Sequence, residues 1–497
     1  MAFCKRCGFS DVSDELEGPK SDPRQQLAEV EDEILHLETQ LRKRLDQRQA
    51  LKQLINAQSS PLLRLPFDVL SEISLIMFPE LDISAYDSTT PLLLGSICKT
   101  WRDLAWATPR LWSTILVKVK NPENYYHPPK VNLLEEWLLR SRELPVSIHL
   151  ALTKPRKPRD ATIMWQIMSL IARCSERWQH INLDIPYFFN KDFCPVPKGY
   201  SQLQSLRVSG LVWNFPQDLD PFEAAPVLRE VSLQNYMGGL FPASSISHLT
   251  VESVSIHECL MLLQRHPNLV NCTFGSISTF DFNSTPLPTT VDALSLEFLK
   301  LSFTHMGAEA ASLLLDKLFV PSLCDLTLSV YKDVSPIDNL VSLVQRSSCR
   351  LTRLGLLYMN ISDTQLVEGL AVLPSLRELE LRVAAFGTRI IKQLTLDSNQ
   401  DPSVPVFLPN LKMLSLTLGD QNTIDSIALV AMVRSRWRRQ ESAGDAEVNN
   451  GSRAESIARL EAFNITAIDC DSLNDPVILG QLQELEDDGL RMVLQIH

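Results

Sequence analysis

Leu376-Arg377-Glu378-Leu379-Glu380-Leu381 places leucine at the first, fourth and sixth positions of a six-residue segment that begins two residues after Pro374. In an extended strand the fourth and sixth positions face one side and the glutamate between them faces the other. The same spacing recurs along the chain. It reads Trp178/Ile181/Leu183, Leu203/Leu206/Val208, Leu228/Val231/Leu233, Ile246/Leu249/Val251, Leu269/Cys272/Phe274, Val291/Leu294/Leu296, Leu323/Leu326/Leu328, Leu351/Leu354/Leu356, Leu376/Leu379/Leu381, Leu411/Leu414/Leu416 and Leu460/Phe463/Ile465. In five of these units proline stands two residues before the first apolar position, at Pro226, Pro267, Pro321, Pro374 and Pro409. Proline there stops a preceding helix and begins an extended segment.

Successive units start 25, 25, 18, 23, 22, 32, 28, 25, 35 and 49 residues apart, and six of the ten gaps lie in the 20 to 29 window of leucine-rich repeats. The array resembles that family, although the asparagine or cysteine that stitches regular repeats together at the ninth position is missing. Each strand is too short to be stable alone, so neighbours are expected to stack into a parallel sheet sharing one core with intervening helices. Helical spacing between strands supports this over Met306 to Phe319 and Ile337 to Gln345. The expected fold class is α/β, an irregular leucine-rich-repeat-like solenoid over 178–497 with a mobile polar loop at 438–453. Asp475-Pro476 opens a further helix toward Asp488, and Arg491 to Ile496 alternates like a closing strand.

Composition narrows the function classes. The chain has 497 residues, with 47 Lys+Arg against 59 Asp+Glu for a net charge of −12, which disfavours generic binding to nucleic acid or to anionic membranes. Only 17 glycines occur, and neither of the glycine-rich phosphate-binding patterns is present. The most apolar window, Ile424 to Val433, falls far short of the ~20 residues that span a bilayer. Ten cysteines without compact spacing point to reduced thiols and an intracellular location, cytoplasmic or nuclear. No cofactor is expected and no enzyme constellation is visible. Cys4-x-x-Cys7 is half of a zinc site with no second half. His257-Glu258 lacks the second histidine of a zincin helix, and Asp469-x-Asp471 lacks the glycine and glutamate of a calcium loop. Arg434, Arg436, Arg438 and Arg439 around Trp437 read as cations ending the Ile424 to Val433 helix rather than as an RNA contact.

Upstream of the repeats, a flexible N-terminus over 1–21 gives way at Asp22-Pro23 to a long amphipathic helix over 22–58. Its apolar stripe runs through Leu27, Val30, Ile34, Leu37 and Leu41, slips to Leu45 and resumes at Leu51, Leu54 and Ile55. Acids (Glu29, Glu31, Asp32, Glu33, Glu38) fill its first half and bases (Arg42, Lys43, Arg44, Arg48, Lys52) its second, which suits the helix dipole. The stripe fits either a coiled-coil dimer or a helix that lays the stripe on its own chain, and the slip favours the second.

Between helix and repeats lies Leu65-Pro66-Phe67-Asp68-Val69-Leu70-Ser71-Glu72-Ile73, followed by Cys98-Lys99-Thr100-Trp101-Arg102-Asp103-Leu104 and by Leu111-Trp112. Pro66 and Asp68 start a helix whose Val69, Leu70 and Ile73 form a narrow apolar stripe. Order and spacing resemble the F-box over 60–115, and the F-box followed by such repeats is similar to the large, variable set of fungal F-box proteins. One departure is the stretch from Pro79 to Pro91, which lengthens the link between the two helices. A helical and strand connector is expected over 116–177. The resemblance implies docking on a Skp-type adaptor through Leu65, Pro66, Val69, Leu70, Ile73, Cys98, Trp101 and Arg102. Through the adaptor it implies a cullin-RING ubiquitin ligase, with the repeats selecting an unknown protein substrate. The alternative is a scaffold that binds the adaptor without delivering a substrate. Strand alternation would set Glu230, Glu252, Glu297, Asp325, Glu378 and Glu380 on the substrate face against Arg207, Arg353 and Arg382, an acidic surface suited to a basic partner.

Overall fold

The computed structural model describes residues 22–77, 90–119, 131–152, 158–185, 199–210, 225–234, 245–278, 287–304, 308–332, 335–383, 387–397, 405–418, 425–437, 457–467 and 475–496. The expectations placed on 1–21, on Cys4 and Cys7, on the loop at 438–453 and on Asp469-x-Asp471 lie outside them. The chain divides into two compact units, a helical one ending at Leu111 and a second that holds everything from Trp112 onward.

The helical unit contains α1 (Pro23–Ser59), a 3-10 turn (Leu62–Arg64), α2 (Phe67–Met77), α3 (Thr90–Ile97) and α4 (Lys99–Ala107). α1 begins one residue after Asp22, whose carboxylate accepts from the Arg24 amide at 3.1 Å. Its apolar stripe is uncovered: Leu27, Val30, Ile34, Leu37, Leu41, Leu51 and Ile55 are each more than half exposed.

Among its described residues the second unit is built on fourteen strands in one parallel sheet. Its strands and helices run in chain order as β1 (Thr114–Val119), α5 (Val131–Arg140), β2 (Val146–Leu152), α6 (Pro158–Ala172), β3 (Trp178–Asp184), β4 (Ser205–Ser209), β5 (Glu230–Gln234), β6 (His248–Glu252), α7 (Ile256–Arg265) and β7 (Asn271–Ile277). They continue as β8 (Val291–Asp292), β9 (Phe298–Phe303), α8 (Ala308–Lys317), β10 (Leu318–Phe319), β11 (Asp325–Lys332), α9 (Ile337–Ser347), β12 (Arg353–Met359), α10 (Asp363–Ala371) and β13 (Glu378–Val383). The last are α11 (Thr388–Leu394), β14 (Met413–Leu418), α12 (Ser426–Trp437), β15 (Ala462–Ala467), α13 (Pro476–Asp487) and β16 (Arg491–Ile496). Among the described residues only β8 and β10 leave the main sheet, pairing with each other. Among the described residues no helix is long and apolar enough to cross a membrane.

Register aligns the fourth positions of successive units in one row. Ile148, Ile181, Leu206, Val231, Leu249, Cys272, Leu299, Leu326, Leu354, Leu379, Leu414 and Phe463 are cross-strand neighbours, and all are buried. The sixth positions form a second row, and together with the helices they make one continuous apolar core.

Two expectations about this sheet are corrected. It begins at Thr114, not Trp178, because Trp112/Ile115/Val117 and Val146/Ile148/Leu150 supply two earlier units within the span read as a connector. Trp112, read as the close of the helical motif, is buried at the head of β1, with Trp137 edge-on at 4.9 Å and the Arg140 guanidinium 5.1 Å from its ring. Further on, Val291/Leu294/Leu296 is not a unit. Val291 belongs to β8 and Leu294 is 56% exposed. The strand is formed by Leu296/Leu299/Leu301, five residues later.

Irregular repeats leave carbonyls at helix ends and in the segments that follow them to be satisfied, and here arginines from the next unit reach back to them. Arg177 donates to Leu144 O at 2.8 Å and Arg346 to Leu315 O and Leu318 O at 2.8 and 2.9 Å. Arg436 is the most buried of the three, donating to Leu394 O, Phe407 O and Leu408 O at 2.5, 2.7 and 3.0 Å. Burial pushes its guanidinium down to about 10, so it remains charged near neutral pH. Arg436 therefore ties α12 to the end of α11 instead of ending its own helix, and Arg434 lies 3.5 Å from Glu484 on α13. Replacing Arg436 by Met should leave the Leu394 and Phe407 carbonyls without this donor and Leu408 O with the Leu411 amide alone, at a cost of ~3 kcal/mol. Amide exchange in α11 and α12 should then accelerate about a hundredfold, and unchanged protection would contradict this role.

Candidate functional site

In the helical unit, Leu65 closes the 3-10 turn in extended conformation and Pro66 directly precedes α2, its carbonyl accepting from the Leu70 amide at 3.1 Å. Leu65, Pro66, Phe67 and Val69 are exposed, and so are Ile76, Met77, Leu93 and Ile97. Leu70, expected on the docking surface, is 3% exposed and belongs to the core of this unit, because the inward face of α2 needs an anchor against its neighbours. Ile73, Cys98 and Trp101 are half-buried. Cys98 occupies the extended N-cap position of α4. Arg102 is exposed, with its Nε donating to Gly95 O at 2.8 Å, which ties α4 to α3. Any Cβ at Gly95 would sit 2.4 Å from the Trp106 ring, so the two helices meet where glycine alone fits. Ser71 Oγ and Thr108 Oγ1, 2.9 Å apart, join α2 to the end of α4.

In the sheet, the third, fifth and seventh positions of each unit point away from the apolar rows. Corrected register changes what they carry. Glu297 leaves this face, since it precedes β9 and spends its carbonyl on the Cys324 and Asp325 amides at 2.9 and 3.0 Å, while Lys300 takes the outward place. Across the fourteen strands Lys118, Arg207, Lys300, Arg353, Arg382 and Arg491 stand against Asp184, Glu230, Glu252, Asp325, Glu378 and Glu380. Among the described strand residues six bases match six acids, so these positions sum to a neutral face where an acidic one was expected.

Charge on this face is also internally engaged. Arg353 at the centre of β11, β12 and β13 lies 3.7 Å from Asp325, 3.7 Å from Glu378 and 3.9 Å from Glu380. Burial pushes the Asp325 carboxyl up, Arg353 pulls it down, and Glu378 and Glu380 push it up further. Farther along the same three strands, about 20 Å from Asp325 at ~3.3 Å per residue, Tyr331 stacks on Tyr358 with ring centroids 4.4 Å apart. The Arg382 guanidinium lies 4.2 Å from the Tyr358 ring and donates to its hydroxyl at 2.7 Å. Between these clusters Thr327 and Ser329 are buried and Gly355 carries no side chain, while Leu357 stands half-buried between Ser329 and Arg382.

Tyr358 reaches this face through a bulge. The pairing of β12 shifts register between Leu357 and Met359, and Tyr358 takes φ +60°. A bulky side chain there costs ~1–3 kcal/mol, comparable to what the ring stack and the cation above it return. Without the bulge, strict alternation would turn Tyr358 toward the core, where Met359 is buried instead. Neither Tyr331 nor Tyr358 was expected at a site. Their signal in the sequence is one tyrosine at the end of each of two successive strands. Among the described residues no three His, Cys, Asp or Glu side chains are grouped to hold a metal ion.

No family model matches the chain, and no curated protein is similar to it. Among solved structures it is similar to the crystal structure of the APL1 leucine-rich repeat domain, at 14% identity over 68% of this chain and 93% of that one, with a TM-score of 0.29. A likeness so slight carries no weight, and the fold rests on the strand register.

Removing the central cation should expose the carboxylates to one another. With Arg353→Ala, the folded-state pKa of Asp325 rises further above its unfolded value, so the protonated form favours folding and stability is lost as pH rises through that pKa. The melting temperature should fall by about 1–3 °C at pH 7 and by less at pH 4. An equal or larger loss at pH 4 would contradict the network.

Proposed function

We propose that this chain is a non-catalytic receptor that recruits a protein substrate to a Skp/cullin ubiquitin ligase, with its F-box-like helices docking on the Skp-type adaptor. The observation that carries the reading is the exposure of Leu65, Phe67 and Val69 around Pro66 at the start of α2. Apolar side chains left uncovered on a small helical unit are suited to a partner's groove. Leu70 supports that surface from beneath and does not contact the adaptor in this reading.

Substrate recognition is assigned to the outward face of β11, β12 and β13, on a sheet read as a leucine-rich-repeat-like solenoid. Tyrosine and arginine are the residue types that anchor protein interfaces, and Tyr331, Tyr358, Arg382 and Arg353 gather there. The acids Glu378, Glu380 and Asp325 contribute through Arg353, while Glu230 and Glu252 lie on the same face farther along the sheet.

Leu65→Ala combined with Pro66→Ala should weaken binding to a Skp-type adaptor about thirtyfold, the factor for an anchor worth ~2 kcal/mol, while the melting of the sheet is unchanged. Titration with purified adaptor, followed by co-purification with a cullin, measures both steps. Equal affinity of variant and wild type would overturn the docking assignment. Adaptor capture without cullin would favour a scaffold that delivers no substrate.

A further inference from the structure

We infer that α1 is the dimerisation element of this protein and that two copies pair through it in antiparallel orientation. The first support is exposure. At ~1.5 Å per residue, 37 residues make a helix about 55 Å long, and its apolar stripe is exposed along its whole length. The second is register. Leu51 lies 21 residues beyond Val30 and Ile55 lies 21 beyond Ile34, so the stripe resumes in frame after three heptads. The apparent slip consists of Arg44 and Arg48 standing at two core positions of an unbroken repeat.

Charge selects the orientation. In a parallel pair each position meets its own copy, which would set Arg44 against Arg44 and Arg48 against Arg48 in the seam and bring Glu33 beside Glu38 across it. Antiparallel pairing lays the acidic first half of one helix along the basic second half of the other. With Val30 opposite Ile55, and Ile34 opposite Leu51, the two arginines meet Leu41 and Leu37 of the second copy. Arg48 then reaches Glu38, and Glu31 lies beside Lys52, each contact occurring twice by symmetry. Arginine at such a position keeps its stem on the apolar seam while its head finds the carboxylate.

Sedimentation of the full chain at tens of micromolar should give the mass of two copies. Ile34→Asp with Leu51→Asp should give one copy with unchanged thermal unfolding, since both side chains are exposed in the single chain. Glu31→Lys should weaken association about tenfold by replacing two attractions with two repulsions, and adding Lys52→Glu should restore it. A monomeric wild type, or a dimer that survives both aspartates, would overturn the assignment to α1. Indifference to Glu31→Lys would overturn the antiparallel arrangement.

Discussion

Burial of each unit's apolar positions against the next unit is the constraint on which the sheet depends. A strand of five to eight residues cannot bury enough surface alone to offset the cost of ordering it. When Leu326 stands between Leu299 and Leu354 and Leu328 between Leu301 and Leu356, each row is completed by its neighbours. Sliding one strand by a residue would turn its leucines outward and its charges inward. The outward columns, and so the neighbours of Arg353 and Tyr358, follow from the inward ones.

This explains which parts of the sequence could be read. Most units stand out because their apolar triplets are isolated. Around residue 296 two triplets overlap, 291/294/296 and 296/299/301, and local spacing cannot choose between them. The row already set by Cys272 and Phe274 does choose. Trp112/Ile115/Val117 has the spacing of a unit, yet its tryptophan also completes a helical motif, and the two readings competed for one residue. At Val146 the spacing is one residue short and appears in the pairing as a shift between Val146 and Ser147. Arg436 was illegible in its role because its acceptors lie 28 to 42 residues earlier in the chain. The helical motif was legible in outline, but which of Val69 and Leu70 faces outward depends on helix packing that pattern alone does not give.

The functional picture follows from what the two units leave uncovered. In the helical unit this is apolar surface around Pro66, together with the whole stripe of α1. In the sheet it is a neutral face whose distinctive feature is a pair of stacked tyrosines under an arginine, held by a strained bulge. A neutral face does not steer a partner by long-range charge, so recognition there has to come from shape, aromatic contact and paired hydrogen bonds.

The register of the sheet is tested most directly by comparing the thermal unfolding of two single substitutions, Leu294→Asp and Leu299→Asp. Leu294 is exposed and Leu299 is fully buried between Cys272 and Leu326. The account predicts that Leu294→Asp melts within about 1 °C of the wild type, as surface changes do, whereas Leu299→Asp abolishes the cooperative transition by burying an unpaired carboxylate. A collapse of Leu294→Asp together with tolerance of Leu299→Asp would contradict it.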